Sequence, residues 1–323
     1  MSAAHAYCPI VIVAAALALL PAVFDSNTVI NSLVTAMIIA LAAQGWNLLA
    51  GYGGQFSFGH AAFFGAGAYG NAILQTRYGV NAYAAMLTAT AIGAAVGAVI
   101  GYLSFRSGLR GSYFALITLA FAEVFRIIAN ATPLTGGAAG TLIKLQVSAT
   151  NFQFASRALY FWIILAFVVA AMLLMRGIER SRFGAYLVAV RENENAASAL
   201  GVDTLNVKLK AITISAGLTA LAGAFYVQYF LFVDPSIAFG TWISVEALLA
   251  PIVGGLGTVF GPLLGALALH FLGEIAKGVA GRIPGIDLAL FGILLILIIA
   301  FARTGLQGAL IRVTQGWRAR GPT

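Results

Sequence analysis

"LVTAMIIALAAQGWNLLAGYGGQFSFGHAAFFGAGAYG", residues 33–70, joins an apolar run to a stretch with seven glycines in its last twenty residues. An interior glycine costs a helix about 1 kcal/mol relative to alanine, so such a density beside a membrane-like segment needs a physical reason. Two readings are open. Gly59, Gly65, Gly67 and Gly70 let helices pack closely, as small residues do throughout membrane bundles. Alternatively, residues 51–57 form irregular backbone around a cavity, the one setting where such backbone is tolerated at membrane depth. Gly53, Gly54, Gln55 and Ser57 are the candidates for the second role. A phosphate loop is excluded, because the Lys-Ser/Thr ending and the preceding strand are missing.

The rest of the chain fixes the setting. Of its 323 residues, 61% are hydrophobic and 9% charged, and the mean hydropathy is +0.96. A soluble domain carries about 25% charged residues, so this chain cannot cover a water-facing surface. It reads as an all-α polytopic membrane protein in contact with membrane lipid. The net charge of +8 would suggest nucleic acid in a soluble protein. Here topology accounts for it, since Lys and Arg collect on the cytoplasmic side, and no nucleic-acid partner is expected. The single cysteine, Cys8, excludes an intrachain disulfide and a cysteine-based metal cluster. The N-terminal "MSAAHAYCPIVIVAAALALLPAVFDS" has a signal-like apolar core but neither a basic n-region nor a clear A-x-A site, and is expected to be a retained first span.

A spanning helix needs about 20 mainly apolar residues. That predicts about ten crossings, near 6–24, 29–50, 58–76, 82–104, 112–130, 157–176, 207–231, 243–256, 258–278 and 284–302, with both termini in the cytoplasm. The cations then divide twelve to six in favour of the cytoplasmic side, Arg106, Arg110, Arg180 and Arg182 among them, which is a positive-inside bias. The eighth segment is short. Fourteen helical residues reach about 21 Å, against a hydrocarbon core of about 30 Å. It ends in "GGLGTVFGP", residues 254–262, the pattern of a discontinuous helix beside a transport path. Gly254, Gly255, Gly257 and Thr258 therefore join the path candidates. This break and "GGQFSFGHAAFFGAG" resemble a degenerate internal repeat, and both are expected to approach a central cavity. The partial positive charge of the helix N-termini there would favour a carboxylate in transit.

Glu123 lies within the fifth span, three residues before Arg126. It is either a structural intrahelical pair with that arginine or a carboxylate at the outer mouth of a substrate path. It is read as the one plausible intramembrane carboxylate. His60 and His270 stand on apolar helices without a metal-ligand constellation, and no catalytic triad or carboxylate pair stands out, so no cofactor, metal or intrinsic catalysis is expected. The longest charged loop, 177–206, faces the cytoplasm in this topology. Within it "NENAASALG" reads as a short helix with Asn193 as N-cap, Glu194 in the first turn and Gly201 as the C-terminal turn residue. Ala196, Ala197, Ala199 and Leu200 give it a small apolar surface suited to a groove on another protein.

At this loop a resemblance becomes specific. "SRFGAYLVAVRENENAASALGVDTLNVKLKAITISAGLTALAGAFY" resembles the cytoplasmic block of ABC importer permeases of the branched-chain amino-acid (LivM) family. "GYGGQFSFGHAAFFGAGAY", "GLRGSYFALITLAFAEVFR", "LTGGAAG" and "PIVGGLGTVFGPLLGA" are similar to its other blocks, in the same order, from about residue 40 to 305. The chain departs from the pattern at Ala185, where many relatives carry a basic residue. The resemblance implies one permease domain over 1–323 in the bacterial inner membrane, a second homologous permease subunit, two cytoplasmic ATPase subunits and a periplasmic substrate-binding protein. By position, Arg191, Glu192, Asn193, Glu194, Ala196, Ala197, Leu200 and Gly201 would form the segment that touches an ATPase. Relatives also import urea, short amides and aromatic acids. Two rival classes remain: an ion-coupled secondary transporter, which needs buried ion ligands, and a passive channel, which needs no coupling loop.

Overall fold

The computed structural model describes residues 3–23, 26–280, and positions 286, 289, 292, 293, 296 and 305–308. The chain begins with α1 (Ala3–Ala18) and the short α2 (Leu20–Val23). α3 (Asn27–Trp46) follows and runs on through a π-helical turn, Asn47–Tyr52. Then come α4 (His60–Tyr78), α5 (Ala82–Arg106), α6 (Gly111–Ala131) and α7 (Arg157–Glu179). Two short helices, α8 (Arg182–Glu192) and α9 (Glu194–Ala199), lead into the long α10 (Thr204–Phe230). A short α11 (Pro235–Ala238) precedes α12 (Thr241–Gly254) and α13 (Gly261–Ala280). Two-residue strands, Thr141–Leu142 and Phe232–Val233, pair antiparallel beside the loop that follows α6.

The fold is all-α and polytopic. Among the described residues, seven helical stretches are long and apolar enough to cross a membrane, and they coincide with seven of the ten expected crossings. The other three differ for separate reasons. The first apolar segment is interrupted between α1 and α2, and its apolar stretch, Tyr7–Val23, is short. α4 has the length, yet it is diluted by Gly65, Gly67, Gly70, Asn71 and Gln75 and is not apolar enough to count. The segment 284–302 lies outside the described residues except at isolated positions.

Burial ranks the helices. In the most apolar window of α3, 94% of residues are buried inside the chain, against 28% for α6. α3 is thus an axis of the bundle and α6 a peripheral helix. The largest fully buried side chains are aromatic: Trp46, Phe63, Phe64, Phe114, Phe161 and Phe225. In lipid no hydrophobic force draws helices together, so close packing and interhelical polar bonds must do it.

α4 and α10 show how. A Cβ on Gly67 would overlap the Ala220 carbonyl, and one on Gly223 would overlap the Phe64 carbonyl. Each helix thus offers a glycine to the backbone of the other, and the atoms that a side chain would hold apart gain dispersion contacts instead. His60, fully buried, sits between Ser57 Oγ and Ser215 Oγ at 3.3 and 2.9 Å. Farther along the seam Asn71 Nδ2 donates to the Ala224 carbonyl at 2.9 Å. The open question over Gly65, Gly67 and Gly70 resolves as packing: Gly65 lies on the Phe239 ring and Gly70 against Ala89.

Gly67→Leu should therefore lower the thermal unfolding midpoint of the detergent-purified chain, since overpacking costs about 1–3 kcal/mol. Gly177→Ala, in α7 with open space around the new methyl, should leave the midpoint unchanged or raise it. Equal midpoints for the two variants would show that the α4–α10 seam is not close-packed.

Candidate functional site

Two amides decide how the broken segments meet. Gln44 and Asn47 stand three residues apart on α3 and its π-turn, both fully buried. Gln44 Nε2 donates to the Val259 carbonyl at 2.9 Å. Asn47 Nδ2 donates to the Thr258 carbonyl at 2.9 Å, while its Oδ1 accepts from the Gly257 amide at 2.8 Å. The Asn47 side chain thus pairs with the loop as a strand backbone would. Gly51 allows the approach, because a Cβ there would lie 2.7 Å from the Gly257 nitrogen. The two glycine-rich breaks meet, then, through Gly51 of the π-turn and Gly257 of the loop between α12 and α13.

The remaining path candidates are placed as follows. Gly53, Gly254 and Gly255 are buried; Gly54, Gln55, Gly257 and Thr258 are half-buried. Ser57 is fully buried, and its hydroxyl accepts from the Gly59 amide at 3.2 Å. At the start of α4, the Phe58 amide donates to Thr118 Oγ1 and the Ala61 amide to Ser244 Oγ, at 3.2 and 2.8 Å. These leading donors of α4, expected to face a carboxylate in transit, are already satisfied by hydroxyls of α6 and α12. Thr258 caps α13, its hydroxyl accepting from the Gly261 amide at 3.1 Å. A cavity of about 290 Å³ adjoins this second break, between Gly257, Thr258, Arg176 and Glu179. Glu179 accepts from both Tyr52 Oη and Arg176 Nη1 at 2.6 Å.

Glu123 makes a two-pronged ion pair with Arg126 on the exposed side of α6, the two side chains being 42% and 35% exposed. Glu123 is not alone in the spans: Glu246 is half-buried in α12, and Glu274 in α13 pairs with Lys277. Sequence reading had placed Glu123 alone at membrane depth, passing over a single Glu in the apolar run "WISVEALLAPIV". No cluster of three metal-ligand side chains occurs among the described residues.

The loop between α7 and α10 is ordered by three successive N-caps. Ser181 accepts from the Gly184 amide, Asn193 from Ala196 and Asp203 from Asn206. Gly201 closes the turn after α9 at φ +87°, as expected for the left-handed position. Glu194 then fastens α9 to the bundle. Its carboxylate accepts from Lys208 Nζ on α10 and lies 3.2 Å from Arg110 Nε. Lys208 is only 4% exposed and its ammonium stands over the Phe105 ring. Removing one partner of a buried pair costs about 3–5 kcal/mol, because the other charge is left unpaired. Ala197 faces inward and packs in the chain's own core, whereas Ala196 and Ala199 are exposed and Leu200 is 86% exposed. The outward surface of α9 is thus Ala196, Ala199 and Leu200, without Ala197.

Arg191, at the end of α8, connects this loop to the breaks. Its Nη1 donates to the Gly51 carbonyl at 2.9 Å, while Nε and Nη2 donate to Glu192 Oε1 at 3.1 and 2.8 Å. Its stem lies across Gly54, whose φ is +68° and whose added Cβ would fall 2.6 Å from Arg191 Cγ. A charge-assisted hydrogen bond of this type contributes about 1.5–3 kcal/mol.

Residues 28–299 match the family described as the permease component of branched-chain amino acid transport systems. The chain belongs to that family. The permease is 29% identical over 277 residues to the high-affinity branched-chain amino acid transport system permease protein LivM of Escherichia coli K12, covering 78% of this chain and 64% of that one. It is 30% identical over 266 residues to LivM of Salmonella typhimurium, covering 75% and 62%. The matched region thus spans less than two thirds of these relatives. It is 28% identical to BraD of Pseudomonas aeruginosa over 296 residues, 86% of this chain and 94% of the relative. No solved structure matches the permease.

Asn47→Ala should strip the Gly257 amide and the Thr258 carbonyl of their partner at once. Each unsatisfied buried group costs about 1–3 kcal/mol, so a fall in the thermal midpoint larger than that of the surface variant Glu192→Ala is expected. An unchanged midpoint would mean that water replaces the amide freely at this joint.

Proposed function

We propose that this chain is the membrane-spanning permease subunit of an ATP-binding-cassette importer for branched-chain amino acids, with ATP hydrolysed on separate subunits. In this reading it forms one domain in the bacterial inner membrane, crosses about ten times with both termini inside, and pairs with a second homologous permease. Two ATPases dock from the cytoplasm, and a periplasmic binding protein delivers substrate. The names of the LivM and BraD relatives support the substrate class.

The observation that carries the reading is the α8–α9 projection. A six-residue helix, capped by Asn193 and anchored by Glu194, presents the exposed Leu200 on loop 177–206. An exposed leucine on a rigidly held helix suits a groove on another protein. Neither a channel nor an ion-coupled carrier has use for such a projection.

Three measurements bear on this. Proteoliposomes holding the permease pair, the ATPases and the binding protein should take up leucine, isoleucine or valine only with ATP. Uptake without the ATPases, or uptake of urea or aromatic acids alone, would overturn the assignment. Leu200→Asp should leave the midpoint of the purified chain unaltered while lowering ATPase co-purification at least tenfold. Normal assembly would move the docking site elsewhere. For topology, the positive-inside bias predicts that a reporter near Lys144 lies outside the cell, and cytoplasmic labelling there would refute the orientation.

A further inference from the structure

We infer that Arg191 is a positioning residue, a strut that carries displacement of the α8–α9 projection to the joint between the two glycine-rich breaks. The inference rests on the importer reading and specifies how its coupling segment reaches the membrane interior. The resemblance implies an ATPase contact for Arg191; the same side chain also reaches inward, to the Gly51 carbonyl.

Three observations converge on it. The first is the state of the Gly51 carbonyl. The last carbonyls of a helix have no partner within it, and here the following amides return elsewhere: Gly53 to Leu48, Gly54 to Ala50 and Gln55 to Leu49. The Gly51 oxygen accepts from Arg191 Nη1 at 2.9 Å. A cation at this end also meets the negative pole of α3. The second is the shape of Gly54. Its positive φ and missing side chain let the Arg191 stem cross the chain at this point. The third is what lies beyond Gly51: the Gly257 backbone is in contact with it, and Asn47 bonds the same loop from the preceding turn. Arg191 thus closes a continuous set of contacts from α8 through Gly51 to the start of α13. Glu192, 68% exposed, holds the other edge of the guanidinium and fixes its plane. A movement of α8 relative to α3 must therefore either break the Arg191–Gly51 bond or displace the joint.

The test uses the complete importer in proteoliposomes and reads two quantities together, substrate transported and ATP hydrolysed. Arg191→Met keeps the apolar stem and removes the donors. The expected result is a fall of at least tenfold in substrate transported per ATP, with the ATPases still co-purifying. Arg191→Lys, which restores a cation without the planar fork, should recover part of that ratio. Gly54→Ala, which keeps the guanidinium but displaces its stem, should lower the same ratio. Transport and hydrolysis falling in proportion, or loss of ATPase co-purification, would make Arg191 a docking or folding residue and overturn the strut. An unchanged ratio in Gly54→Ala would overturn it whatever Arg191→Met does. A wild-type complex without ATP-driven uptake would remove the importer reading itself, and the strut with it.

Discussion

The joint between Asn47 and the Gly257–Thr258 backbone is the constraint on which the arrangement of the breaks depends. One carboxamide satisfies a donor and an acceptor of a loop that has no regular structure of its own. Buried backbone groups without partners are costly, and the chain offers two answers to that cost. α3 relaxes into a π-turn, which places its amide side chain opposite the loop. The loop's glycines let its backbone come within reach. Neither break could sit where it does without the other. This explains why the glycine-rich stretches, far apart in sequence, face each other.

Much of the architecture was legible because it obeys local rules. The seven qualifying spans follow from long, mainly apolar runs with few charges. The short helix α9 followed from Asn193, Glu194 and Gly201, each of which does what its side chain or its lack of one dictates. Close approach at Gly65 and Gly67 followed from the absence of a side chain at each. What escaped the sequence was what depends on direction in space. Ala197 and Leu200 belong to one apolar turn, yet the first is buried in the chain's own core and the second points away. No single sequence distinguishes those faces before the partner helix is known. Gln44 and Asn47 were missed for a different reason. Two amides at i and i+3 in an apolar run are a readable sign of interhelical bonding, but their backbone partners lie more than two hundred residues away, beyond the reach of local pattern. Glu246 was hidden by the same apolar background.

The helix starts teach a related lesson. An N-terminus at membrane depth invites the idea of an anion site, and α4 begins at a glycine break of the expected kind. Its leading amides nevertheless bond Thr118 and Ser244 hydroxyls. Those hydroxyls come from α6 and α12, so the same bonds knit three helices together. Two of the donors at this helix end are thus engaged in architecture. His60 fits the same pattern, linking α4 to α10 through Ser215.

The glycine contacts between α4 and α10 have a consequence for permeability. Where backbone meets backbone at Gly67 and Gly223, no side chain stands between the helices to swing aside. The two helices form a seal that cannot be loosened by rotamer changes, only by separating them outright. For the importer proposed above, such a seam would owe its tightness to the absence of side chains.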